Sequence, residues 1–94
     1  MWHGLSPGWR QELSKFATKL RSMMDKESAV GSFLGDELVC GGVPVSALTI
    51  VVNELRSMLP QAAVLYANEC SGGISRMQVA SGIPAALDLI SVDT

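Results

Sequence analysis

Three short apolar runs in this chain each close on acidic residues. The first, Ala29-Val30-Gly31-Ser32-Phe33-Leu34-Gly35, ends on Asp36-Glu37; the second, Ala62 to Ala67, ends on Asn68-Glu69; the third, Leu87 to Val92, ends on Asp93. Strands buried on both faces of a parallel sheet read as near-continuous apolar runs, because helices cover the faces. In such sheets ligands and chemistry gather at the carboxyl ends of the strands. The pattern therefore predicts acids repeated along one sheet edge, the arrangement that sugar chemistry uses.

The segments between the runs read as helices. Ser6-Pro7 is a helix-start signal, with Ser6 as cap and Pro7 in the first position. The apolar residues Trp9, Leu13, Phe16, Ala17, Leu20, Met23 and Met24 then recur in steps of three and four, which predicts an amphipathic helix over 7–24. After the glycine-rich stretch Val39 to Pro44, Ser46 caps a second helix over 46–59, with Leu48, Val51, Val52, Leu55, Met58 and Leu59 on one side and Pro60 as its stop. Ser71 to Gly82 shows no clear period and is assigned to loop, with Ile74 to Ala80 as at most one irregular turn. The order helix, strand, helix, strand, loop, strand predicts an α/β fold with parallel strands at 29–35, 62–67 and 88–92, right-handed crossovers and both helices on one side.

Composition narrows the setting. At 48% hydrophobic and 17% charged, the chain is more apolar and less charged than an average soluble domain, which carries about 25% charge. No helix follows the third run, so the sheet would be left with an apolar edge. The chain therefore reads as a single unit, 1–94, belonging to a larger α/β domain, and as marginal or aggregation-prone in isolation. The net charge of −2 and the scattered Lys and Arg residues lack the electrostatic footprint of nucleic-acid binding. No apolar stretch reaches the ~18 residues of a membrane span. The first residues carry no signal-peptide pattern, which leaves the compartment open, including a secreted parent.

Cys40 and Cys70 fall just past the first two predicted strands. Neighbouring parallel strands bring such loops together, so a Cys40–Cys70 disulfide is one reading and two free thiols the other. No metal or cofactor is expected. His3, the one histidine, is remote from both cysteines, and there is no dinucleotide-binding glycine motif, Walker lysine or nucleophile-elbow serine.

Taken together, Gly31-Ser32-Phe33-Leu34-Gly35-Asp36-Glu37, Tyr66-Ala67-Asn68-Glu69 and Leu87-Asp88-Leu89-Ile90-Ser91-Val92-Asp93 resemble the middle of a glycoside-hydrolase-type (β/α)8 barrel, about its fourth to sixth strands. The resemblance covers Trp9 to Thr94. It implies a partial TIM barrel, a carbohydrate substrate and O-glycosyl hydrolysis by carboxylate acid/base chemistry in the full-length parent, with the first three and last two strands lying outside this chain. A non-catalytic carbohydrate-binding remnant is the alternative. Glycosidases place two carboxyl groups about 5–5.5 Å apart for retention or about 6.5–9.5 Å apart for inversion.

Glu37, Glu69 and Asp93 are the catalytic candidates. Glu37 is the expected general acid, because Phe33, Leu34 and Leu38 offer apolar surroundings that raise a carboxyl pKa. Glu37 and Asp93 come from alternate strands, whose side chains share a layer in a barrel. Asp36, Asn68, Tyr66 and Trp2 form the expected substrate-binding set. For Asp36 the alternative is a bond to loop backbone, for Tyr66 core filling, and for the acids exposed loop positions. Asp88, at the far end of the third strand, reads as a structural turn residue.

Overall fold

The computed structural model describes residues 3–27, 29–36, 38–80 and 82–93. They form, in order, α1 (Trp9–Asp25), β1 (Gly31–Asp36), α2 (Val45–Met58), β2 (Val64–Cys70), α3 (Ser71–Val79) and β3 (Leu89–Asp93). The strands make one sheet in the order β1-β2-β3, with both pairs parallel. Sequential order with parallel pairing is what short crossover connections produce.

The helix starts differ from expectation. α1 begins at Trp9 with Gly8 as its cap at φ 78°, not at Pro7 under a Ser6 side chain. The Ser6 carbonyl instead accepts the Trp9 N–H in a turn. α2 begins at Val45 with Pro44 as cap, so Ser46 lies inside the first turn. Its end was readable: Leu59 is extended at φ −116°, ψ 157°, because the residue before Pro60 is barred from helical backbone.

All three helices contribute to one core. Ala17 and Leu20 of α1, Val45, Leu48, Val52 and Leu55 of α2 and Met77 of α3 pack with Leu65 of β2. Along β2 the buried Leu65, Ala67 and Glu69 alternate with the more exposed Tyr66 and Asn68. The sheet therefore has a helix-covered face and an open one. Phe33, Tyr66 and Leu89 lie in register across the open face and are 46%, 42% and 62% exposed. A parallel sheet bare on one side departs from the usual two-sided burial.

β1 carries a bulge. Phe33 pairs with Tyr66 and Asp36 with Asn68, three steps against two. Gly35 sits inside that irregularity at φ 150°, where an added Cβ would lie 2.9 Å from the Leu38 side chain. Glycine is required here by backbone geometry.

Candidate functional site

Because the strands are parallel, their carboxyl ends share one edge. Asp36 is level with Asn68, Asn68 with Ser91, and Cys70 with Asp93. β2 and β3 both run further than the sequence suggests, so Asn68, Glu69, Cys70 and Asp93 are strand residues rather than loop residues. On the open face beside this edge, the Phe33 and Tyr66 rings sit 5.2 Å apart, tilted by 44°. One step further along, the Ser91 hydroxyl donates to Asn68 Oδ1 at 2.6 Å. An aromatic pair next to an amide–hydroxyl pair offers both an apolar surface and hydrogen-bonding groups.

Glu69 has a different setting from the one its motif suggests. Its alternation along β2 turns it to the helix-covered side, where it is 1% exposed. Oε2 accepts the Val39 N–H at 3.0 Å, and Oε1 accepts the N–H groups of Cys40 at 2.8 Å and Cys70 at 3.3 Å. A buried carboxylate needs such donors, and here Val39 and Cys40 supply theirs from the turn that follows β1, while Cys70 supplies its own from the end of β2. Arg76 of α3 donates to the Val39 carbonyl at 2.9 Å, so the same turn is held from both its N–H and its C=O sides. Gly73 makes the arrangement possible, since a Cβ there would lie 2.6 Å from the Glu69 carboxyl carbon.

The Cys40–Cys70 disulfide joins the same two segments, with Cα atoms 5.9 Å apart. Of the two readings left open by the sequence, the structure adopts the bridge. Cys70 also caps α3, its sulfur accepting the Gly73 N–H at 3.2 Å. The donor atoms of Cys40, Glu69 and Cys70 lie within 4.8 Å of one another. With both sulfurs bonded together no thiolate is offered, and the oxidised cluster is not a metal centre.

Of the expected site residues, Asp36, Asn68, Tyr66 and Asp93 belong to this edge or the adjoining open face as strand positions. Glu69 lies at the edge but is turned inward. Glu37 and Trp2 fall outside the described residues. The hollow of about 310 Å³ between α1, α2 and β1 is lined by residues such as Leu13, Phe16, Phe33, Leu38, Leu48 and Val52. Among the described residues that line it, none is titratable.

Sequence reasoning missed four contributors. Ser91 stood inside the third strand motif without being singled out, and follows from Asn68 once the register is known; Gly73 and Arg76 belonged to no motif. Arg56 is the fourth, at the opposite edge of the sheet. Its guanidinium donates to the carbonyls of Ala63 at 2.6 Å and Ala86 at 2.8 Å, and to Asp88 Oδ2 at 2.5 Å. Asp88 Oδ2 also accepts the Leu65 N–H at 2.8 Å. That backbone hydrogen bond, followed by the Arg56 contact, holds the Asp88 carboxyl below the ordinary carboxylate range. The structural reading of Asp88 therefore agrees with its contacts.

No family of known proteins, no curated protein and no solved structure matches this chain. What the fold defines is an α/β unit with a three-stranded parallel sheet covered by helices on one face.

Proposed function

We propose that the carboxyl edge of this sheet acts on carbohydrate by carboxylate acid/base chemistry, within a glycoside-hydrolase-like (β/α)8 barrel to which the three strands belong. The observation that carries the reading is the parallel register, which brings Asp36, Asn68 and Asp93 to one edge beside the exposed Phe33–Tyr66 pair. The open face is what a barrel turns inward, and strands with outer helices place their chemistry at this edge. In this reading Glu37, next in sequence after β1, is the general acid, and Asp93 serves as the second carboxylate or orients the sugar. Tyr66, Asn68 and Asp36 contact substrate. Glu69, buried and bonded to backbone, is a positioning residue for the turn after β1.

A non-catalytic carbohydrate-binding role is the second reading. It is favoured by the inward setting of Glu69, which removes one of the three expected catalytic acids from contact with a ligand. The full-length protein separates the two when titrated with a panel of oligosaccharides and assayed for hydrolysis. Hydrolysis that falls about 10²-fold or more in Glu37→Gln, with binding retained, supports proton transfer by Glu37. A loss under threefold removes Glu37 from the mechanism. Binding without hydrolysis by the wild type supports the second reading, and neither activity overturns both.

A further inference from the structure

We propose that the Cys40–Cys70 bridge is a reversible thiol–disulfide exchange site for an external dithiol, opened by attack at Cys40 with Cys70 as the leaving sulfur. The inference does not depend on the carbohydrate reading. It rests on three features of the bridge and its surroundings.

The first is access. Cys40 is exposed and Cys70 only half-buried, so an incoming thiolate meets the bridge from the Cys40 side. The second is the leaving group. Cys70 Sγ already accepts the Gly73 N–H at the start of the nine-residue α3, and a helix N-terminus stabilises thiolate. A sulfur whose thiolate is stabilised leaves faster in exchange.

The third feature makes the opening reversible. The turn bearing Cys40 is also held by the bonds from Val39 and Cys40 N–H to Glu69 and from Arg76 to the Val39 carbonyl. These contacts do not involve sulfur. They keep the two cysteines near each other after the bridge opens. The charged groups around the bridge act in opposite directions. The Glu69 carboxylate, within 4.8 Å of both sulfurs, disfavours a new thiolate, while its own N–H donors offset that charge. The Arg76 guanidinium, bonded to the neighbouring Val39 carbonyl, favours one.

The chemistry balances without any further oxidant. One thiolate of the dithiol attacks Cys40 Sγ, the Cys40–Cys70 bond breaks, and its electron pair leaves on Cys70. The second thiol of the reductant, deprotonated, then attacks its own sulfur in the mixed disulfide and releases Cys40, which takes up a proton. The bridge gains two electrons, and the dithiol is oxidised to a disulfide.

The test uses the wild-type protein without denaturant. Glutathione, a monothiol, is added at millimolar concentration, the mixture is quenched in acid, and mixed disulfides are mapped by peptide mass spectrometry. The expected result is a mixed disulfide on Cys40 at least tenfold more abundant than on Cys70. A reduced dithiol should then open the bridge fully while near-UV circular dichroism persists, and exchanging it for its own oxidised, disulfide form, which takes up the two electrons, should close the bridge again. In Cys40→Ser, alkylation of Cys70 should show a pH midpoint at least about one unit below that of a free thiol, roughly 8.5. A bridge that opens only in denaturant, trapping at Cys70 or at both sulfurs equally, loss of tertiary signal on reduction, or an unshifted Cys70 midpoint would each overturn the proposal. The trapping experiment needs no variant and stands on its own if Cys40→Ser does not fold.

Discussion

The two edges of the sheet solve one problem in different ways. At each, a carboxylate accepts backbone N–H from a neighbouring segment and an arginine donates to nearby carbonyls. At the amino edge Asp88 and Arg56 also touch each other, and their side chains are 45% and 23% exposed. At the carboxyl edge Glu69 is 1% exposed, and its oxygens accept only backbone N–H among the bonds described, while Arg76 binds the Val39 carbonyl. Water screens the first cluster and is excluded from the Glu69 carboxylate of the second, although Arg76 and Cys40 beside it are exposed. The lesson is that similar polar contacts should differ in worth according to burial, and that the inner carboxylate is committed to shaping a turn.

Removing the inner carboxylate gives the largest expected effect. Glu69→Ala leaves the Val39 and Cys40 N–H groups without their acceptor, each at about 1–3 kcal/mol, so a loss of about 3 kcal/mol or more is expected by chemical denaturation. Gly73→Ala attacks the same site by overlap with the Glu69 side chain and should cost about 1–3 kcal/mol. If Glu69→Ala proves no more harmful than an exposed carboxylate variant, burial is not what separates the edges.

Opening the covalent link is the next step down. Replacing Cys40 and Cys70 together by serine frees a loop closed across a sequence separation of 30, for which the typical cost is about 2–4 kcal/mol. Because the Glu69 and Arg76 contacts remain, the variant should keep a cooperative transition at a lower midpoint. Combining it with Glu69→Ala should cost more than the sum of the two, since each holds the turn that the other also holds.

What the sequence revealed, and what it hid, follows the same division. Apolar runs, the three-and-four spacing of α1 and α2 and the Pro60 stop all act through local backbone and burial preferences, and they located the strands, both longer helices and their parallel arrangement. α3 escaped because its two glycines, Gly72 and Gly73, argue against a helix, and its cap is a disulfide sulfur rather than a serine or aspartate. Glu69 was misjudged in orientation for a related reason. Its strand extends to Cys70, so alternation continues through Asn68 and Glu69 and sends them to opposite faces. The Asn-Glu pair looks alike from sequence whether the acid faces a cleft or the core. Only the Val39 turn, thirty residues away, decides which.

The smallest effect belongs to the exposed pair, and its pH dependence makes it measurable. The Asp88 carboxyl is held below its ordinary value, first by the Leu65 N–H and then by Arg56. A carboxylate depressed in the folded state adds stability that is fully present above the unfolded value of about 3.9. That contribution is lost as pH falls through the folded value. Asp88→Asn should therefore be less stable than wild type at neutral pH, by less than Glu69→Ala. The difference between wild type and Asp88→Asn should hold down to about pH 5 and shrink as the pH is lowered further. Paired denaturation curves at several pH values, with salt held constant, read this directly. A wild-type advantage that persists unchanged at pH 2, or one that grows with acid, would mean that the Asp88 charge is not what ties β2 to the start of β3.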